Sequence, residues 1–260
     1  MARFCPLFSG SSGNSTYIGT GDGGILIDAG VSAAKIKKAL GERDIDLSHI
    51  QGIFVTHEHI DHISGIKVLA SKNNIPVYLT EGTLQGIKER GMYYDTVDYR
   101  ILGDETVAAD MKITHFATSH DCIDSCGYVV QVGDRKIAVC TDLGVVTDEV
   151  KNAISGCDLV MLESNHDIMM LQNGKYDYAL KRRVMSDVGH LSNNACSGEL
   201  VRLLNSGSTQ FVLAHLSRDN NTPDLAFETA KSTLFLAGAQ ESVDYLLTVA
   251  PPSEGKIITL

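Results

Sequence analysis

Apolar runs in this chain are short, and they end on polar residues able to bind a ligand. Ile25-Leu26-Ile27 gives way to Asp28-Ala29-Gly30, and Ile53-Phe54-Val55 to Thr56-His57-Glu58-His59-Ile60-Asp61-His62. The run 113–118 leads into Ser119-His120-Asp121, and Ile137-Ala138-Val139 into Thr141-Asp142-Leu143-Gly144. Phe211-Val212-Leu213-Ala214 leads into His215-Leu216-Ser217. Runs of this length, bounded by turn residues, predict buried strands. Strand ends gathered on one rim of a sheet are a common way for a rigid scaffold to present chemistry.

The pattern predicts strands over 15–18, 25–28, 53–55, 76–79, 106–108, 112–117, 127–132, 136–140, 159–162, 211–214 and 243–249. Glycine-rich turns at 21–24 and 133–134 predict two hairpins. Helices are predicted over 32–40, 63–72, 80–90, 147–154, 176–185, 193–204 and 223–236, with Ser32 and Thr80 as N-caps. No linker, low-complexity segment or charge block interrupts the alternation. The expected architecture is a single α/β domain over residues 1–260, with two sheets covered by helices in a pseudo-duplicated four-layer sandwich.

Composition narrows the class. A chain of 260 residues can bury a large core. A hydrophobic content of 43% and a charged content of 21% are ordinary for a globular enzyme. No apolar run approaches the length of a membrane span. The segment 1–6 shows no secretory core, so the cytoplasm is the expected compartment and no membrane partner is expected. Cysteines stand at 5, 122, 126, 140, 157 and 196 without a CxxC pair, which excludes a zinc ribbon or a thioredoxin motif. Reduced thiols are the expectation. The net charge of −10 argues against broad adhesion to nucleic acid or anionic lipid. It leaves room for a local cationic site, since two divalent metals would add about four positive charges.

The histidine turn is the most specific chemical signal. His57, His59, His62 and Asp61 crowd one tight turn after a buried strand. Imidazole with carboxylate suits zinc, iron or manganese. Alternate residues point to opposite sides of the turn, so two metals can be held.

The ordered set His57-x-His59-x-Asp61-His62, with Asp28 upstream and His120, Asp142 and His215 downstream, resembles the metallo-β-lactamase superfamily across essentially the whole chain. The resemblance implies an αββα sandwich with a dinuclear site on one edge. It implies His57, His59 and His120 on one metal, Asp61, His62 and His215 on the other, and Asp142 bridging. Asp28 would orient the histidine loop. The segments Phe8-Ser9-Gly10-Ser11-Ser12-Gly13-Asn14-Ser15, Thr118-Ser119-His120-Asp121, Glu163-Ser164-Asn165-His166-Asp167 and Gly189-His190-Leu191-Ser192-Asn193 look like the YycJ/WalJ branch of metal-dependent DNA exonucleases. That branch is related to ribonucleases Z and J and to a phosphonate-pathway cyclic phosphodiesterase.

The expected cofactors are two divalent ions, zinc first, with manganese or iron also accommodated. Metals roughly 3.5–4 Å apart can share a hydroxide and neutralise a phosphoryl oxygen. Asp61 would bind a metal and accept a hydrogen bond from the nucleophile. His190, just before a helix N-terminus, is the candidate proton donor or phosphate contact. Ser192, Asn193 and Asn14 are candidate phosphate contacts, and His166 a candidate for the shell behind the ligands. Lys181-Arg182-Arg183 reads as a solvated helix face. The leading expectation is a phosphodiester hydrolase acting on DNA, with an exonuclease of the 5′-to-3′ type the specific reading. The alternative is a small-molecule hydrolase of a cyclic nucleotide, lactone or thioester, and behind it an iron-dependent oxygenase. The oligomeric state is not legible.

Overall fold

The computed structural model describes all residues, Met1–Leu260. The chain opens with strands β1 (Arg3–Phe8), β2 (Ser15–Gly19) and β3 (Gly24–Ile27), then α1 (Ala33–Gly41) and β4 (Ile50–Phe54). The histidine turn follows, with α2 (Ile60–Ile63), α3 (Ile66–Asn73), β5 (Val77–Leu79), α4 (Glu81–Glu89) and β6 (Tyr99–Ile101). Strands β7 (Thr106–Ala108), β8 (Met111–Ala117), β9 (Cys126–Val132) and β10 (Arg135–Cys140) come next. Then come α5 (Asp148–Ile154), β11 (Leu159–Glu163), α6 (Ile168–Asn173), α7 (Tyr178–Val184) and α8 (Asn193–Asn205). The chain closes with β12 (Gln210–Ala214), α9 (Pro223–Leu236), β13 (Leu246–Val249) and β14 (Ile258–Thr259). The strands belong to two mixed sheets and helices flank them, so the expected α/β class holds.

The chain divides into two compact units. The first comprises Met1–His115, Cys122–Arg135 and Pro251–Leu260, and the second Phe116–Asp121 and Lys136–Ala250. In the first unit one sheet has the order β14-β1-β2-β3-β4-β5-β6. Strands β3 to β6 run parallel, while β14, β1 and β2 pair antiparallel. Leu26, Ile53, Val55, Val77 and Leu79 are buried with Ile36 and Leu40 of α1 and Leu69 of α3. Continuous apolar strands of this kind are what a parallel sheet covered by helices requires. The predicted caps hold: the side chains of Ser32 and Thr80 accept from Lys35 N and Thr83 N.

In the second unit β10, β11, β12 and β13 run parallel in that order. Leu159, Val160, Leu162, Phe211 and Leu213 are buried, as are Leu200 and Leu203 of α8 and Ala226 and Leu234 of α9. The candidate residues of each unit therefore stand mostly at the carboxyl ends of parallel strands, the usual ligand-binding edge of such sheets.

Several elements differ from the sequence reading: β6 and β14 were not foreseen, and the strand expected over 243–249 begins at Leu246. Strand β1 was not foreseen; it contains Pro6, which has no N–H for the ladder, and the register shifts between Pro6 and Phe8. The single helix over 63–72 is two pieces, because Gly65 N leaves the helix to bond Ala29 O at 2.8 Å. The helix over 176–185 is shorter, starting at the Asp177 cap. Helix α6, capped by Asp167, was not foreseen.

Candidate metal centre

In the first unit the site is built from β3 and β4. Asp28 follows β3 with φ 64°, a left-handed conformation that costs free energy for a non-glycine residue unless neighbours fix it. Its N–H donates to Phe54 O at 2.9 Å. Its carboxylate accepts from Thr56 N (2.8 Å), Thr56 Oγ1 (2.9 Å) and His62 Nδ1 (2.7 Å). Asp28 and His62 are both buried. With Nδ1 committed, the lone pair of His62 lies on Nε2, where Asp61 Oδ2 stands at 3.6 Å. The Thr56 hydroxyl, having donated to Asp28, accepts from His57 Nδ1 at 3.0 Å. That leaves His57 Nε2 as a lone pair, 3.0 Å from His59 Nδ1.

In the second unit three neighbouring parallel strands supply the groups. Asp142 follows β10 with φ 59°, Glu163 ends β11, and His215 follows β12 with φ 55°. The ligand atoms of Asp142, Glu163, His190 and His215 lie within 4.8 Å of one another. Glu163 is fully buried. Its Oε1 accepts from His190 Nδ1 and His215 Nδ1, both at 2.8 Å. Its Oε2 accepts from Leu143 N (3.0 Å) and Leu191 N (3.2 Å). Burial alone would raise this carboxyl, but the charge and hydrogen bonds of His190 and His215 hold it well below the usual carboxylate range. Burial likewise opposes the charged form of His190, yet Glu163 wins and holds its imidazole above the ordinary value. His120 Nδ1 donates to Gly189 O at 3.1 Å.

These donor sets fit divalent metals. In His57, His62, His120 and His215 an oxygen receives Nδ1, which leaves Nε2 as the available lone pair. This is the supporting arrangement that metal-ligating histidines require. Imidazole and carboxylate together accept zinc, manganese or iron.

The other expected residues fall in different places. Asn14 is buried; its amide nitrogen lies 3.0 Å from His62 Nε2 and 3.4 Å from Asp61 Oδ2, and its Oδ1 accepts from Gly10 N. These contacts brace the histidine turn. Asn193 is likewise tied into its own surroundings. Its amide is fully buried and spent on Ser164 and Asn221. Ser192 Oγ caps α8, accepting from Ala195 N at 3.2 Å. His166 is buried, its main chain bridges Ser192, and its Nδ1 has no hydrogen-bond partner. Glu163 was missed as a site residue. Its signal was a carboxylate closing a wholly apolar strand. Glu58 was also missed: it is buried and its Oε1 accepts from Ile123 N at 3.1 Å.

Residues 24–216 match the family model described as a β-lactamase superfamily domain. The exodeoxyribonuclease YycJ of Bacillus anthracis is 37% identical over 226 residues, 86% of each chain. The exodeoxyribonuclease WalJ of Streptococcus pneumoniae is 34% identical, covering 99% of this chain and 97% of its own. Among solved structures, the metallo-β-lactamase fold protein YhfI of Bacillus subtilis superposes with a TM-score of 0.75 at 17% identity over the full length of both chains. On the match of its sequence, its fold and its donor sets, the chain belongs to the metallo-β-lactamase superfamily of metal-dependent hydrolases, in its YycJ/WalJ branch.

Proposed function

We propose that the two units act as one dinuclear phosphodiesterase domain, a DNA exonuclease of the 5′-to-3′ type. The observation that carries this reading is the pairing of near-full-length relatives named exodeoxyribonucleases with a donor set in which oxygens hold the Nδ1 atoms. His57, His59 and His120 would hold one divalent ion, Asp61, His62 and His215 the other, and Asp142 both. Zinc is the first candidate, manganese and iron the others.

Bound divalent ions supply an activated water and neutralise charge on the phosphoryl group. The residues do the rest. Asp28 and Thr56 fix the tautomers of His62 and His57. Asp61 orients the attacking water. Glu163 at Nδ1 favours the imidazolium form of His190, whose Nε2 proton would pass to the leaving oxygen as general acid. We place the enzyme in the cytoplasm: all six cysteines are free, as a reducing compartment keeps them. No helix is long and apolar enough to cross a membrane.

Metal-loaded protein should release nucleotides from end-labelled DNA bearing a 5′ phosphate, and Asp61→Ala should lower that rate at least 1,000-fold with the fold retained. Turnover of bis-p-nitrophenyl phosphate with no cleavage of single- or double-stranded DNA would instead favour a small-molecule substrate.

A further inference from the structure

Helix α7 is fastened to the reactive end of the second unit. His190 N donates to Val184 O, the last residue of the helix, at 2.9 Å. Gly189 makes that approach possible, because a Cβ there would stand 2.2 Å from Arg183 O and 2.4 Å from Val184 O. The Arg183 guanidinium pairs with Asp121, next to His120, and Ser119 Oγ donates to Asp187 O. The helix and the segment carrying His190 are thus one rigid piece.

The outer side of the same helix is unlike an ordinary solvated face. Tyr178 is 76% exposed, and the Arg182 guanidinium lies 5.8 Å from its ring centre. Met185, which follows the helix, is also exposed. Lys175 and Arg183 are neutralised by Asp219 and Asp121. Lys181 and Arg182 enter no ion pair; Lys181 Nζ gives one hydrogen bond to Gln172 O at 2.9 Å. A chain with 32 acidic and 22 basic residues therefore keeps two uncompensated cations beside an exposed aromatic ring. An aromatic stacking face with adjacent cations is the combination by which proteins hold single-stranded nucleic acid. From Tyr178 to Val184 the helix rises about 9 Å, the span of about three stacked nucleotides at a rise of about 3.4 Å.

We propose that α7 is the strand-docking platform of this enzyme. Tyr178 stacks on a base of a single DNA strand, and Lys181 and Arg182 hold its neighbouring phosphates, several nucleotides from the bond that reaches His190. This rests on the reading of the chain as a DNA exonuclease.

The test uses the metal-loaded full chain and three variants, Tyr178→Ala, Lys181→Glu/Arg182→Glu, and the combination. Binding of a fluorescein-labelled single-stranded oligonucleotide is measured across salt concentrations, alongside DNA cleavage and bis-p-nitrophenyl phosphate turnover. Tyr178→Ala should raise Kd about tenfold. The charge reversal should raise it at least tenfold at low salt and reduce the slope of log K against log salt by about two. The ratio of DNA cleavage to small-substrate turnover should fall about tenfold in each. Wild-type affinity and salt slope in the variants, while the wild type digests DNA, would overturn the platform alone. A parallel fall in both activities would also overturn it, since α7 would then act only by supporting His190. A wild type that turns over the small ester but neither binds nor cuts DNA would overturn the exonuclease reading itself.

Discussion

The carboxylate of Asp28 takes three hydrogen bonds that fix Thr56 and His62. Asp28→Ala leaves the buried Thr56 N–H without its acceptor, a cost of about 1–3 kcal/mol. It also frees His62 to change tautomer. Metal affinity, read by competition with a chelator, should fall roughly 10–100-fold; an affinity equal to wild type would contradict the role. Glu163 receives four donors through two oxygens, and Glu163→Gln cannot accept from all four. The expected result is a kcat reduced roughly 10–100-fold with a smaller change in KM, and an upper limb of the pH–rate profile displaced to lower pH.

The same pair sets a pH signature in chelator-treated protein. Glu163 is held low, so its contribution to stability is full above its ordinary pKa of 4.5 and is lost as pH falls. His190 is held high, so its contribution is full below 6.5 and is lost as pH rises through the raised value. The difference in melting temperature between wild type and Glu163→Gln should therefore peak between pH 4.5 and 6.5. A difference independent of pH would contradict the pairing. The proposed ligands were suggested by apolar runs ending in polar residues; His57, His120, Asp142 and His215 follow strands closely, while Asp61 and His62 lie in α2 beyond β4. The role of Glu163 was not legible, since it depends on β10, β11 and β12 lying side by side in parallel.

At the scale of elements, the turns after β3 and β4 pack main chain against main chain. Asn14 N donates to Asp61 O at 2.8 Å and Gly30 N to Asn14 O at 2.7 Å. A Cβ on Gly30 would stand 1.6 Å from Asp61 O and 2.6 Å from Asn14 N. Gly30→Ala should cost about 1–3 kcal/mol or more, a drop of roughly 2–12 °C in Tm. Gly21→Ala is the control, with no atom within 4 Å of the added Cβ. Equal melting temperatures in the two variants would refute the close packing. Caps and apolar runs announced most elements. The break between α2 and α3 did not announce itself, because it answers to Ala29, far away in sequence. Nor did β1, where Pro6 speaks locally against a strand.

For the whole molecule, a net charge of −10 is a poor guide to substrate. Charge acts locally through screening over about 8–10 Å, so a few cations and bound metals decide what a strand end meets. The family, the fold class and the donor chemistry agree with one another; the specificity for DNA and the direction of attack rest on the proposal. Titration of metal-stripped protein with manganese or zinc, following mononucleotide release from 5′-phosphorylated, end-labelled DNA, tests that proposal most directly. Activity should rise from zero and saturate at about two metal equivalents per chain, with nucleotides released one at a time from the 5′ end. Saturation at one equivalent, or no release with zinc, manganese or iron, would contradict it.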